Sequence, residues 1–200
     1  MMVLKKIFVK YIFIILVLSI VACGGLNFNL LAPEAIDFHP QRIALFPIEV
    51  WNHKDADSRK IVEEVVKSVL IKKKLYFEVT DVENFQKQVL ANQELKQAKD
   101  EYLSKQRLLD FYDATLSRKI GELTQIDAFL LLSVDEWKYT EQGDKKMAQV
   151  GLTMEMYDVA TGKLMWKASH AIVKEYMLIK PALPDIARDV ASKMANYMPH

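Results

Sequence analysis

The sequence predicts an α+β protein whose mixed β-sheet, of about five strands, is flanked by helices and ends in a C-terminal antiparallel meander. Short apolar runs alternate with amphipathic helical patterns over most of the chain, which is typical of a sheet covered by helices. Towards the C-terminus, segments of alternating polarity follow one another across tight turns, as in antiparallel hairpins. A hydrophobic fraction of 51% and a charged fraction of 26% are those of a globular chain.

The first strands and helices are predicted from apolar spacing. Residues 42–48 (RIALFPI) are almost wholly apolar, which indicates a strand buried on both faces. Apolar residues at helical spacing predict a helix of about four turns over 61–72. A second strand is predicted at 77–80, and Asp81 is expected to cap the short helix that follows it.

The second half of the body is predicted in the same way. Residues 92–111 are polar with thinly spaced apolar positions, and we interpret them as an exposed helical insertion. Another amphipathic helix is expected to end near Gln125, and a last one to begin at Pro184. Between these helices, period-two patterns and turn residues predict three consecutive strands, at 127–139, 149–156 and 164–168.

Charge and cysteine content exclude several classes of partner and site. The chain has 27 basic and 26 acidic residues, and the part after residue 22 carries 24 basic against 26 acidic ones. This near-neutral body argues against nucleic acid as the main partner, because phosphate binding needs a clustered basic surface. The one cysteine, Cys23, precedes the predicted body, which therefore contains no disulfide, thiolate metal site or cysteine nucleophile.

The N-terminal segment has the pattern of an export signal. Lys5 and Lys6 precede an uncharged run at 11–22, which suits a signal-peptide core of about 7–15 residues better than a membrane-spanning helix of about 20. The run ends in Ile-Val-Ala-Cys at 20–23, which resembles the lipobox of bacterial lipoproteins. The resemblance implies that the Cys23 thiol is acylated and that cleavage follows the preceding alanine. The alternative is an ordinary cleaved signal peptide followed by a chance cysteine.

The lipobox resemblance implies a domain organisation and a location. Residues 1–22 are expected to be a lipoprotein signal peptide, 23–41 an acylated cysteine with its tether, and 42–200 a single domain. Two or three acyl chains would hold the protein on a membrane, because each buried methylene contributes about 0.8 kcal/mol. Gly24 stands where an aspartate would resemble the inner-membrane retention signal. The resemblance thus implies a lipid-anchored envelope protein, at the outer membrane and facing the periplasm.

A second resemblance to known proteins rests on four sequence segments of the predicted domain. They are IALFPIEVWN at 43–52, LYFEVTDVENF at 75–85, IGELTQIDAFLLLSVDEWKY at 120–139 and VGLTMEMYDVATGKLMWKAS at 150–169. They are similar to periplasmic lipoproteins of the superfamily that includes the curli secretion lipoprotein and the lipoprotein activators of penicillin-binding proteins. A Tyr-Asp-x-x-Thr-Gly-Lys-x-x-Trp phrase is typical there, and it is matched by Tyr157, Asp158, Thr161, Gly162, Lys163 and Trp166. The resemblance implies a fold similar to the anticodon-binding-like or TolB N-terminal type. It concerns turns and core positions, so it indicates fold better than activity.

The resemblance to these lipoproteins also suggests what the protein does. We expect an adaptor or accessory protein in envelope assembly or transport that works through protein contacts. One alternative is an oligomeric secretion-ring protein without membrane-crossing hairpins, because the connection at 139–147 is short and charged whereas a crossing strand needs about 9–11 residues. Another is a wall-synthase activator, for which the tether at 24–41 is short.

The residue pattern gives little support to a catalytic function. The sequence has no glycine-rich phosphate loop and no nucleophile elbow, and its four histidines lack metal-ligand spacing. Asp127, Asp135 and His170 are the polar residues that could meet in space. We predict that the protein is not an enzyme and has no metal or other cofactor.

Contact residues are predicted from side-chain type. Met147, Met165, Tyr176 and Met177 form the candidate contact surface, since exposed, adaptable side chains suit interfaces. The competing interpretation is ordinary core packing. The expected partners are a membrane, through the lipid anchor, other envelope proteins, and a second copy of the chain, with no nucleic acid.

Overall fold

The computed structural model describes residues 26–47, 56–109 and 111–200. Its six strands are Phe28–Leu31 (β1), Arg42–Leu45 (β2), Glu78–Thr80 (β3), Ala128–Gln142 (β4), Lys145–Asp158 (β5) and Leu164–Tyr176 (β6). They form one sheet in the order β1-β6-β5-β4-β2-β3. The pairs β2–β3 and β2–β4 are parallel, and the other three pairs are antiparallel. The predicted α+β class and the C-terminal meander are confirmed, with one strand more than expected.

Five α-helices flank the sheet: Ala56–Lys73 (α1), Val82–Ala91 (α2), Gln93–Leu109 (α3), Ala114–Thr124 (α4) and Leu183–Met194 (α5). Short 3-10 turns lie at Pro33–Asp37 and Ala195–Tyr197. The predicted cap is confirmed, since the Asp81 carboxylate accepts a hydrogen bond of 2.8 Å from the backbone N–H of Asn84. None of the helices in the described ranges is long and apolar enough to cross a bilayer.

One face of the sheet is fully covered by α1 and α5. The inward-facing residues of β4, β5 and β6 alternate with outward-facing ones, and Leu130, Val150 and Trp166 are each completely buried. Ile186 and Val190 of α5 complete this core from the helix side. Burial of so many aliphatic side chains, at about 25 cal/mol per Å² of apolar surface, is what holds the two helices on the sheet.

The second face is covered over only part of its width. Helices α2, α3 and α4 pack over β2 and the adjoining ends of β4 and β5, around a cluster of buried aromatic rings. Phe129 lies at its centre: its ring stacks on those of Phe46, at 4.4 Å between centroids, and Tyr157, at 5.2 Å. Tyr102 of α3 meets Phe129 edge-on at 5.3 Å. The rest of this face, on β6 and the far halves of β4 and β5, has no helix over it among the described residues.

The segment expected to be a tether is partly folded. Residues 28–31 form β1 and pair antiparallel with β6, from Phe28 opposite Ser169 to Leu31 opposite Trp166. The Trp166 indole N–H also donates to the Asn29 side-chain oxygen at 2.8 Å. The prediction missed this strand because FNLL lacks alternation, and only the available edge of β6 makes it a strand.

The expected exposed insertion at 92–111 is also corrected. Residues 93–109 do form a helix, but one stripe of it is buried in the aromatic core, with Tyr102 at 0% and Leu95 at 1% exposure. The Tyr102 hydroxyl donates a hydrogen bond of 2.9 Å to the backbone oxygen of Gly162. Few apolar residues suffice for this packing because α3 is covered on one stripe only and is solvated elsewhere.

Candidate interaction surface

The part of the second face that no described helix covers forms the largest polar surface of the sheet, and we call it the open face. It is lined by Asp135 and Glu136 of β4, Thr153 and Glu155 of β5, and Lys167 of β6. These side chains are half-buried or exposed. Alternation with the core residues places Thr153, Glu155 and Lys167 here, since successive side chains of a strand point to opposite faces. An irregularity in the β4–β5 pairing between Val134 and Glu136 interrupts the alternation, so that the successive residues Asp135 and Glu136 both lie on this face.

A hydrogen-bonded chain of side chains runs across the open face. Lys167 forms an ion pair with Glu155 at 2.6 Å. The Tyr157 hydroxyl donates to the other carboxylate oxygen of Glu155 at 2.6 Å, and it accepts from the Gln106 amide of α3 at 3.1 Å. Burial raises the pKa of Tyr157, and the neighbouring carboxylate adds to the effect. Each member thus has partners within the protein, as a structural network does.

Asp135 is the carboxylate of the open face whose pKa is displaced upwards. Loss of water around the carboxyl raises the pKa of Asp135, and the charge of Glu136 adds to this, although the Thr153 hydroxyl works against it by donating at 2.7 Å. Gly151 opposite Glu136 leaves room for that side chain, because a Cβ there would lie 3.3 Å from two of its carbons. The polar side chains of Asp135, Glu136 and Thr153 thus lie next to one another on the open face.

Asp127, Asp135 and His170, which the sequence left free to meet in space, lie apart in the structure. Asp127 lies at the start of β4, where its carboxylate accepts hydrogen bonds from the backbone N–H groups of Gln41 and Arg42 at 3.0 and 2.8 Å. Asp135 lies on the open face, whereas His170 is buried on the side of the first core. In the described ranges no cluster of three or more His, Cys, Asp or Glu side chains could hold a metal ion.

The edge of the sheet formed by β1 carries exposed apolar side chains. All four residues of β1 are exposed, and Phe28, Leu30 and Leu31 retain 45%, 47% and 47% of their accessible surface. Within the described ranges no strand pairs with the outer side of β1. An apolar edge strand with free backbone groups is a surface on which another chain can add a strand. We call this surface the β1 edge.

A second apolar surface lies at one end of the sheet. There β4 ends, β5 begins and β6 ends, and we call this the distal end. The connection from β6 to α5 exposes Met177, Leu178 and Ile179 at 89%, 96% and 87%. We call these three residues the distal loop. Three successive apolar side chains this exposed exceed the scattered single ones that are normal on a protein surface.

The predicted contact residues differ in their position and in their exposure. Met147 is half-buried opposite Glu175, and Tyr176 is half-buried against the first core, so both lie at the distal end beside Met177. Met165 is only 4% exposed and lies near the opposite end of β6, so its assignment to an exposed contact surface is wrong. Met165 falls at a register shift in the β5–β6 pairing, where the regular alternation of inward and outward side chains is interrupted. Cys23 lies outside the described residues.

Sequence reasoning found Met177 but missed Leu178 and Ile179, which are as exposed as Met177. The distal loop reads MLI at 177–179, just before Lys180 and Pro181, and this run of three apolar residues was a usable signal. Leu30 and Leu31 lie in the segment expected to be a tether. Their exposure depends on where β1 docks, which local sequence does not encode.

The residues that carry the family resemblance form a turn and a core anchor. The Asp158 carboxylate accepts hydrogen bonds from the backbone N–H groups of Ala160 and Thr161 at 3.0 and 3.1 Å. Gly162 has a φ of +72°, which favours glycine. Trp166 is fully buried. The motif thus specifies the β5–β6 turn and the packing behind it.

Asn27 fixes the start of β1 against the middle of β6. Its side-chain oxygen accepts from the backbone N–H of Ala171 at 2.9 Å and from the His170 ring nitrogen Nδ1 at 2.6 Å. Burial lowers the pKa of His170, and the positive charge of Lys193 lowers it further. Burial and the charge of Lys193 therefore favour the neutral imidazole, and with its proton on Nδ1 it can donate to Asn27.

The His170 environment predicts a pH-dependent stability. Because the pKa is lower in the folded than in the unfolded state, the contribution is full above the unfolded value of about 6.5 and is lost as pH falls below it. We expect the free energy of unfolding to fall between pH 7.5 and 5.5, by at most about 1.4 kcal/mol per pH unit for one proton. Urea titrations at both pH values should show a smaller fall in His170→Asn, and an equal fall would contradict the assignment.

The fold is shared with solved bacterial proteins at low sequence identity. The PelC dodecamer from Paraburkholderia phytofirmans aligns with a TM-score of 0.52 and 14% identity, over 81% of this chain and 91% of that one. The lipoprotein GNA1162 from Neisseria meningitidis aligns with a TM-score of 0.50 and 16% identity, over 78% and 99%. No family model matches the chain, and no curated protein matches it significantly. These likenesses establish the fold.

The expected likeness to activators of penicillin-binding proteins is weak. The C-terminal domain of LpoB from Escherichia coli aligns with a TM-score of 0.37 and 12% identity, over 69% of this chain and 87% of that one. At this level a structural match carries no information about function.

Proposed function

We propose that the protein is a lipid-anchored accessory protein of the bacterial envelope that works by binding other proteins through the β1 edge. The observation that carries the proposal is the β1 edge itself, where three large apolar side chains stand beside unpaired backbone groups. Soluble sheet proteins normally protect such edges with charged residues, prolines or a covering segment. An edge left apolar indicates that a partner strand or apolar surface covers it in the assembled state.

The open face next to this edge supports binding rather than catalysis. Leu30 lies opposite Lys167 in the β1–β6 register, so the β1 edge adjoins the hydrogen-bonded chain of side chains that begins at Lys167. A partner strand that pairs with the β1 edge would therefore contact apolar side chains at the edge itself and fixed charges, such as that of Glu155, next to them. Such fixed charges select partners more than they add affinity.

The position of β1 supports an anchor close to the body. Asn27 is held on β6, and Cys23 is four residues before it. Four residues span at most about 14 Å, so an acylated Cys23 would hold the sheet against the membrane instead of letting it reach far away. A protein fixed in this way works on partners that lie at the same membrane.

A ring-shaped homo-oligomer is a second candidate for the state in which the protein works. It is favoured by one observation, that a protein of the same fold, PelC, is a dodecamer. In this case the surface that covers the β1 edge would belong to a second copy of the chain. The same experiment separates the two candidates.

Crosslinking in growing cells tests the β1 edge. We expect a photoreactive phenylalanine analogue at Phe28, which is 45% exposed, to give a discrete crosslinked product. Leu30→Glu should reduce the product at least tenfold, because it places a charge in the apolar contact. Leu90→Glu is the matched control, since Leu90 is 81% exposed on α2, away from the edge, and it should leave the product unchanged.

The mass of the crosslinked product decides between the candidates. A product that contains a different envelope protein supports the accessory role, and one of twice the chain mass supports the oligomer. Only uncrosslinked monomer at native expression levels, or a product that persists in Leu30→Glu, would contradict the proposal.

A further inference from the structure

The distal loop is held in place by aromatic contacts at its base. The Tyr139 hydroxyl donates to the backbone oxygen of Pro181 at 2.9 Å, and the Lys180 ammonium lies 3.5 Å above the Tyr139 ring. Tyr176 meets the same ring edge-on at 6.2 Å. The loop thus projects its three apolar side chains from a fixed base. Tyrosines and lysines around an apolar tip are typical of the boundary between water and lipid.

The course of β1 points the N-terminal segment towards the same end of the molecule. Because β1 runs antiparallel to β6, the chain before Asn27 leaves in the direction of the C-terminal end of β6. From Ala171 to Tyr176 is five residues, or about 17 Å of strand. Cys23 can lie at most about 14 Å from Asn27. Cys23, the residue expected to enter the membrane, can therefore reach the neighbourhood of the distal end. The opposite end of the sheet lies about 40 Å from the distal end, along the 13 residues of β6.

We propose that the distal loop, Met177 to Ile179, inserts into the lipid bilayer on which Cys23 anchors the protein, as a second point of attachment. The inference rests on the proposed anchor. Two attachment points restrict rotation about the anchor, so they fix which surfaces of the sheet face along the membrane and which face away from it. In this orientation the sheet stands on its distal end, and the β1 edge runs away from the membrane surface.

Lipid is favoured over a protein partner by the reach of the N-terminal segment and by the chemistry of the loop. Lys145, Lys146, Lys174 and Lys180 lie at this end with four carboxylates, those of Glu141, Asp144, Glu175 and Asp189, the last of which pairs with Lys174 at 2.8 Å. This near balance of charge gives weak attraction to anionic headgroups, so insertion depends on the apolar side chains. Side chains of such loops reach about 5–10 Å into the boundary between headgroups and acyl chains.

Depth-dependent quenching tests the insertion on the full chain. The protein is purified from membranes in mild detergent and reconstituted into phosphatidylethanolamine–phosphatidylglycerol vesicles. An environment-sensitive fluorophore is attached to Leu178→Cys, which is the sole free thiol if Cys23 is acylated. The matched control is Phe77→Cys, because Phe77 is equally apolar and 85% exposed but precedes β3 at the opposite end of the sheet. Both positions are so exposed that a cysteine leaves the fold intact.

The expected result is a fluorescence at least twofold brighter and blue-shifted at position 178, quenched by spin-labelled lipids, and none of these changes at position 77. Equal, unquenched signals at the two positions, in protein that floats with the vesicles, would overturn the insertion and leave the anchor standing. A change at 178 that depends on protein density and not on spin-labelled lipid would overturn it in favour of contact between copies. Protein that does not float, with its Cys23 thiol open to labelling, would overturn the anchor and this inference together.

Discussion

Replacing Trp166 by alanine is expected to lower the free energy of unfolding by about 3–5 kcal/mol, which is the usual loss for a large aromatic side chain truncated in a core. The indole is completely buried between β5 and the covering helices and also fixes β1, through its hydrogen bond to Asn29. Truncation therefore removes apolar burial, leaves a cavity and loosens β1 on the edge of β6. Urea unfolding followed by far-UV circular dichroism measures the loss.

A matched variant separates packing from hydrogen bonding at this position. Trp166→Phe keeps an aromatic ring in the core but cannot donate to Asn29, so we expect a clearly smaller loss than for alanine. Protease cleavage near β1 should increase in both variants, since both lose the hydrogen bond. A loss below about 1 kcal/mol for alanine would show that Trp166 is not the core anchor that the structure places at 0% exposure.

Replacing Cys23 by serine is expected to abolish lipid attachment completely, because a hydroxyl does not replace the thiol that the lipobox resemblance implies as the acylated group. The wild-type chain extracted from membranes should then have the mass of residues 23–200 plus acyl groups. Cys23→Ser should carry no acyl mass at all. Intact-protein mass spectrometry of the membrane and soluble fractions measures both.

The control for this variant keeps the lipobox pattern. Ala22→Gly retains a small residue immediately before the cysteine, so acylation and cleavage should persist. An unacylated chain that retains residues upstream of Cys23 in the wild type would refute the anchor, and an ordinary cleaved signal peptide would then account for the N-terminal segment.

Some features of this protein follow from short stretches of sequence. The strand at 42–45, the cap at Asp81, the end of α4 at Gln125 and the turn at Asp158 all depend on neighbours within a few residues, and the structure confirms each. Local steric and hydrogen-bonding preferences decide such features. The α+β class follows in the same way from the order of helical and alternating patterns.

Other features depend on residues that are far apart in the chain. Phe28 to Leu31 become a strand only because β6 offers an edge about 140 residues later, and Met165 is buried at a register shift between β5 and β6 that only the pairing of the two strands creates. The chain enters β1 from the side of the distal end because β1 runs antiparallel to β6. Sequence alone thus determined most of the helices and strands, and it predicts an export signal before them. The tertiary structure decided which apolar side chains remain exposed, since exposure is the balance of all packed neighbours and not a property of one segment.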